Sequence, residues 1–229
     1  MAETIWFRDD SRPRKPRLSR ERIVEGAVAL LDAEGVAGFS MRALAARLGA
    51  GTMSLYEYVR SKEDVLDLAL DEVIGEIAPE PAGSWRETLV RQLTQSRQVM
   101  RRHPWVPALT ATRPLIGPNA LARSRLVYTA LADAGLSGPV LLAAVGALSS
   151  YVNGFVASEN IWWAKVRTPA ADAEIRERVV AHLGEHVSDL GRIAQVDNAD
   201  FDGQFLLGLD LVLDGITHRL PPGSQGSRG

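Results

Sequence analysis

The chain has 229 residues, enough to bury a sizeable core in one or two domains, and no cysteine, which excludes disulfides, thiolate metal sites and cysteine nucleophiles together. Its formal charge of -2 hides an asymmetry: residues 1–62 hold 11 Lys/Arg against 8 Asp/Glu and the remainder 15 against 20, so any phosphate-binding surface is expected near the N-terminus. No secretory pattern opens the chain, and the longest apolar run, Val140 to Leu148, falls short of the ~20 residues that cross a bilayer; a cytoplasmic protein without membrane contact is expected.

Residues 1–18 read as a basic, flexible arm containing Arg12, Arg14, Lys15 and Arg17, although a solvated tail without function has the same composition. Beyond it, apolar residues recur at three- and four-residue spacing and β-type alternation is missing, which predicts an all-α fold. Ser19 caps a helix with Ile23, Ala27, Leu30 and Leu31 on one stripe, ending near Gly35. Ser40 caps a short helix, Met41 to Leu48; Gly49-Ala50-Gly51 breaks it, and a third helix follows from Thr52 to about Val59. Ser61 starts a fourth helix, with Val65, Leu66, Ala69, Val73 and Ile77 as its buried stripe.

Two short helices joined by a glycine turn make a helix-turn-helix, whose second helix is shaped to enter a major groove. Around the turn stand Ser40, Arg42, Thr52, Ser54, Tyr56, Tyr58 and Lys62, all of them groups that donate to phosphate oxygens or reach base edges. Leu55 and Val59 would face the core, leaving Thr52, Met53, Tyr56 and Glu57 outward. An ordinary helical corner with its rim plugged by tyrosines has the same periodicity, so the pattern alone leaves both readings open.

The segment 79–83, Pro-Glu-Pro-Ala-Gly, is the strongest internal punctuation and places a domain boundary there: 19–78 for the helix-turn-helix domain, 79–220 for a larger helical domain, 221–229 for a disordered tail. A capping box from Ser84 to Glu87 opens a long helix that stops at His103-Pro104. Further helices are predicted over 118–134, 139–166, 169–188 and 202–219. On the helix after Pro139, Ala143, Ala147, Ser150 and Gly154 form a small-residue stripe; on the last helix Phe205, Leu209 and Val212 make an apolar face beside Gly208 and Gly215. These faces suit a dimer interface, and intramolecular packing suits them as well. A pocket in the larger domain would draw on His103, Trp105, Tyr128, Tyr151, Asn153, Phe155, Asn160, Trp162 and Trp163, which points to a small, mostly apolar or aromatic ligand. His182, Glu185 and His186 fit the H-x-x-E-H spacing of zinc peptidases, an alternative reading as a zinc-binding protein or enzyme, but their neighbours read as a solvated helix face. No cofactor or resident metal is expected.

Residues 19–67, from SRERIVEGAVALLDAEGVAGFSMRALAARLG to SLYEYVRSKEDVLD, resemble the DNA-binding domain of the TetR family of repressors, with its Ser-Met-Arg, Leu-Gly, Leu-Tyr and Lys-Glu landmarks. The resemblance implies a dimer on double-stranded operator DNA that is released by a small effector. It also implies that Ser40 and Arg42 contact backbone or bases, Thr52, Met53, Ser54 and Glu57 face bases, and Tyr56, Tyr58 and Lys62 bind phosphates. Glu57 departs from the family's usual basic, polar or aromatic residue and would set base preference by accepting from cytosine N4. Phe205 to Ile216 and Thr112-Arg113-Pro114 are similar to tetracycline-repressor segments; Leu109 stands where those repressors have a metal-linked histidine, so a magnesium-bound tetracycline is not implied.

Overall fold

The computed structural model describes residues 18–166, 168–186 and 200–221; the basic arm and the C-terminal tail fall outside it apart from Leu18 and Pro221. Ten helices and no strand occur among the described residues. The first four form the N-terminal unit: α1 (Arg20–Gly38), α2 (Met41–Leu48), α3 (Thr52–Leu55) and α4 (Lys62–Ile74). Each long start is fixed by a serine whose hydroxyl accepts a backbone N–H three residues on, Ser19 from Arg22, Ser40 from Ala43 and Ser61 from Asp64. Gly35, at φ 65°, breaks α1 where the sequence predicts its end, and one further turn continues to Gly38. Gly49, at φ 64°, closes α2.

The third helix is shorter than expected. It ends at Leu55, and Tyr56–Tyr58 form a turn in which the Tyr58 and Val59 amides share the Leu55 carbonyl. That winding still buries Leu55 and Val59 on one side and leaves Met53, Tyr56 and Tyr58 on the other.

The larger unit contains α5 (Trp85–Arg102), α6 (Val106–Thr110), α7 (Pro118–Asp133), α8 (Gly138–Lys165), α9 (Pro169–His186) and α10 (Phe201–Thr217). The capping box at Ser84 and Glu87 is formed. The short α6 is not predicted by the sequence pattern, because five residues are too few to display a period. The expected hinge at 79–83 is tied down: the Thr88 hydroxyl donates to the Ala82 carbonyl at 2.7 Å and accepts from its amide at 2.9 Å, while Gln92 Nε2 donates to the Ala78 carbonyl at 2.7 Å. One continuous apolar core runs from Ile23 to Ile216 across both units.

By length and a mean hydropathy of 1.7, α8 would pass for a membrane span, unlike the shorter run read from the sequence. Inside the fold it is the helix on which α5, α6, α7 and α10 pack. It carries the buried Glu159, whose carboxylate receives Arg97 Nε and Nη2 of α5, each at 2.8 Å. Arg97 also reaches Asp202 at 2.7 Å and lies over the Phe205 ring at 4.9 Å. Burial opposes the charge on Arg97, but the two carboxylates outweigh it and hold the guanidinium above its ordinary value. The pair locks α5, α8 and α10 together.

Candidate functional site

The helix-turn-helix presents one polar face. Met53 is 78% exposed, Arg42, Tyr56, Glu57 and Tyr58 are exposed, and Thr52 and Ser54 are half-buried at the start of α3. Ser40 spends its acceptor on capping α2, which leaves its proton free to donate outward. Lys62 is less available: its ammonium donates to the Phe39 carbonyl at 2.8 Å and sits 5.6 Å from the Phe39 ring centre. Two of its three protons are left for a phosphate. Next to it, Asp64 accepts from the Arg60 amide at 2.8 Å and from the Ser61 hydroxyl; these bonds hold its carboxyl below the usual range.

The base of this unit is fastened to the larger one through α4. Arg113 Nη1 donates to Asp67 Oδ1 at 2.6 Å and to the Glu63 carbonyl at 3.2 Å. His103 Nδ1 lies 2.7 Å from Asp32 Oδ1 and its Nε2 3.0 Å from Glu76 Oε1, while Trp105 Nε1 donates to the same Asp32 oxygen at 2.6 Å. His103 and Trp105, read from the sequence as pocket residues, are therefore junction residues. Their polar atoms are consumed by carboxylates of α1 and of the turn after α4.

Among the pockets of the described residues, one of about 50 Å³ lies between α4, α5, α6, α7 and α8. Ile74, Ile77, Val99, Met100, Val106 and Val152 wall it, with Thr110, Arg123, Ser149 and Asn153 as its polar members. Asn153 is the one sequence-predicted ligand residue that lines it; its Oδ1 lies 2.9 Å from the Thr110 hydroxyl. The others are placed elsewhere. Tyr151 donates to the Phe205 carbonyl at 2.7 Å and, with Phe155, packs on Phe205. Asn160 Nδ2 donates to the Met100 carbonyl, Trp162 Nε1 to Asp172, and Trp163 rests on Phe201. Tyr128, on α7, is exposed. Tyr151, Phe155, Trp162 and Trp163 form the seam between α8 and α10, where large rings fill a helix crossing. Arg123 and Thr110 are not among the residues expected from the sequence, although Arg123 interrupts the buried stripe Ala120, Val127, Leu131 of α7, a position where a charge needs a reason.

On the outer side, α8 and α10 leave several large apolar side chains uncovered. Leu142, Ile161, Leu206, Leu207 and Leu211 are each about half to two-thirds exposed, and Ala143, Ala147, Ser150 and Gly154 line up beside them. A Cβ added at Gly146, Gly154 or Gly215 would meet only open space. Two of the expected interface residues are corrected: Phe205 and Leu209 are buried inside the protomer, because Tyr151, Phe155 and Arg97 claim that side of α10. Gly208 also serves the protomer, since a Cβ there would collide with the Tyr151 phenol. Val212 is half-buried against the core. Of the zinc-like triplet, His182 is exposed, and the side chains of Glu185 and His186 lie outside the described residues; among the described residues no group of three potential metal ligands occurs. Leu109 is buried in α6 and offers no ligand atom.

Residues 23–69 match the bacterial regulatory proteins of the tetR family, and residues 78–220 match the tetracyclin repressor-like C-terminal domain. The chain is 43% identical over 218 residues to an HTH-type transcriptional regulator of Saccharopolyspora erythraea, covering 93% of this chain and 90% of that one. It is 39% identical over 228 residues to the HTH-type transcriptional repressor DrrR1 of Streptomyces coeruleorubidus, covering 93% and 83%. In structure it is similar to the TetR family protein ActR of Streptomyces coelicolor in complex with actinorhodin, with a TM-score of 0.76, 27% identity and coverage of 89% and 98%. The polar helix-turn-helix face, the helical second unit and these matches over nearly the whole length agree: the chain belongs to the TetR family of DNA-binding transcriptional repressors.

Proposed function

We propose that the chain acts in the cytoplasm as a homodimer that holds two copies of α3 in successive major grooves of a palindromic operator and lets go when a small molecule enters the cavity below α4. Arg42, Tyr56, Tyr58 and Lys62 bind phosphates; Thr52, Met53, Ser54 and Glu57 read bases. The uncovered faces of α8 and α10 meet their copies across the two-fold axis, which sets the half-sites about 34–36 Å apart.

The observation that carries the release step is the position of α4. Its first residue, Lys62, stands at the DNA-facing edge, and its last, Ile74, is a wall of the cavity. The cavity is small, about 50 Å³, so an aromatic-sized guest has to displace its walls. Any displacement of Ile74 tilts the helix that supports the recognition unit. The guest therefore favours the state that does not fit DNA, which is the thermodynamic requirement for an inducer.

Fluorescence anisotropy with the DNA flanking the chain's own gene tests this. A specific complex whose affinity falls steeply with salt is expected. Absence of a salt-sensitive specific complex refutes the DNA assignment; failure of every stabilising compound from a thermal screen to dissociate the complex refutes the release step.

A further inference from the structure

Arg97 of the larger unit is buried and Arg123 is half-buried with its Nε closed off from solvent; among the described residues only Arg97 has a counter-ion. Arg97 meets the carboxylates of Glu159 and Asp202. Arg123, on the inner side of α7, has a single neutral partner: its Nη2 donates to the Ser96 hydroxyl oxygen at 2.8 Å. Ser96 in turn donates to the Gln92 carbonyl at 2.6 Å. The Nε of Arg123 is closed off from solvent without any hydrogen-bond partner, and no described carboxylate lies within ion-pair reach. Burial pushes its guanidinium down to about 10, which leaves it protonated at neutral pH.

An uncompensated cation inside a protein is costly, and removing a partner from such a pair destabilises far more than the pair itself stabilises. The charge is retained at the wall of the cavity that lies between α4 and α8, among Ile74, Val99, Met100 and Val152. The remaining buried polar atoms without a partner, Gln92 Oε1, Thr94 Oγ1 and Gln95 Oε1, belong to α5, the helix that bears Ser96. Unmet hydrogen-bonding capacity among the described residues thus lies on α5 and α7, both of which border the cavity.

We infer that the effector is an organic acid: a carboxylate on an apolar or aromatic body, with its two oxygens paired to Arg123 and the body between α4 and α8. This deepens the release reading above and rests on it. The guanidinium fork takes two oxygens of a planar anion side by side, a geometry that an amide or a hydroxyl reproduces only in part and an ammonium opposes. Thr110 and Asn153, already bonded to each other at 2.9 Å, border the same space and are positioned to take up further polar groups of the guest.

The test uses the full chain and matched triplets of acid, primary amide and primary amine on naphthalene, biphenyl and anthraquinone bodies, read by thermal shift and titration calorimetry. The acids are expected to be the stabilising members. Arg123→Gln is expected to weaken them at least tenfold, about 1.4 kcal/mol, and to change the amides less than twofold. Circular dichroism and thermal unfolding of R123Q verify that the variant is folded, and Arg123→Lys, which keeps the charge without the fork, should fall between the two. Amides or amines that bind as well as the acids, acids that bind R123Q undiminished, or silence of every acid would overturn the inference. Each binder is also tried for dissociation of the DNA complex: release by a neutral member sinks the acid inference and leaves the release mechanism standing, whereas acid binding through Arg123 without release does the reverse.

Discussion

Asp71, in the last turn of α4, caps α7: its Oδ1 accepts from the Ala120 amide at 2.9 Å and its Oδ2 from the Asn119 amide at 3.3 Å. The Asn119 side chain returns a bond to the Asp71 carbonyl at 3.0 Å. A residue of the DNA-binding half thereby supplies the N-terminal cap of a helix that carries Arg123 and lines the cavity. The close approach needs a glycine at 117, since a Cβ there would strike the Asp71 carboxylate.

Asp71→Ala removes the cap and a favourable charge at a helix N-terminus, so a loss of about 1 kcal/mol is expected. In a chain of this size that is a fall of roughly 2–4 °C in Tm, measurable by calorimetry. Because the bond joins the two units, the variant should also need more effector to release the same operator complex, while its salt-dependent affinity for DNA stays near wild type. An unchanged effector requirement would show that this junction does not transmit the signal.

At the DNA face two substitutions should separate affinity from choice. Arg42→Ala, at an exposed cation on α2, is expected to weaken binding to all sequences alike and to lower the slope of log K against log salt by about 1. Glu57→Ala should leave affinity for random DNA equal or stronger, since it removes an exposed negative charge, and change the bases preferred in an operator library. An identical library profile for Glu57→Ala would remove Glu57 from the reading set.

The N-terminal unit was legible because its local signals agree. Serine caps, glycine breaks and a three-to-four apolar period over α1, α2 and α4 all specify the same boundaries, and Leu55 and Val59 are buried where the period puts them. The cavity proposed for the effector was not, for a physical reason: aromatic size marks residues that need a large partner, and Tyr151, Phe155 and Phe201 find it in one another. The informative residue was Arg123, a charge at stripe position between Ala120 and Val127. Likewise Phe205 and Leu209 share an apolar face with the core, while the residues that reach outward are their neighbours Leu206, Leu207 and Leu211. Periodicity identifies a stripe; on a helix apolar all round it does not say which side meets the protomer and which another chain.

The junction makes stability depend on acid pH. Burial alone would raise the Glu76 carboxyl, but the hydrogen bonds from Arg102 and His103 and their charges outweigh it, so it stands below its ordinary 4.5. A carboxyl that is depressed in the folded state contributes stability above its unfolded value and loses it as pH falls through the folded one. Glu76→Gln should therefore be less stable than wild type at neutral pH, and the gap should close as pH drops below about 4.5. Urea unfolding at a series of pH values measures it; a gap that is constant with pH would mean that Glu76 acts only through hydrogen bonds a glutamine also fails to make.

The face proposed for dimerisation permits a test that separates folding from assembly. Leu207 is 65% exposed in the protomer and Gly215 meets nothing, so neither position is constrained by the fold of one chain. Gly215→Ala within α10 should stabilise the isolated helix by up to about 1 kcal/mol. Leu207→Glu should leave protomer stability nearly unchanged. Burying a leucine contributes about 2 kcal/mol, and a two-fold interface counts every substitution twice, so Leu207→Glu should cost the dimer about 4 kcal/mol and raise its dissociation constant about a thousandfold. Sedimentation should then find a monomer with native circular dichroism, and affinity for a palindromic operator should collapse toward that for a single half-site. A Leu207→Glu chain that still sediments as a dimer would place the interface on another face and free the outer sides of α8 and α10 for a different partner.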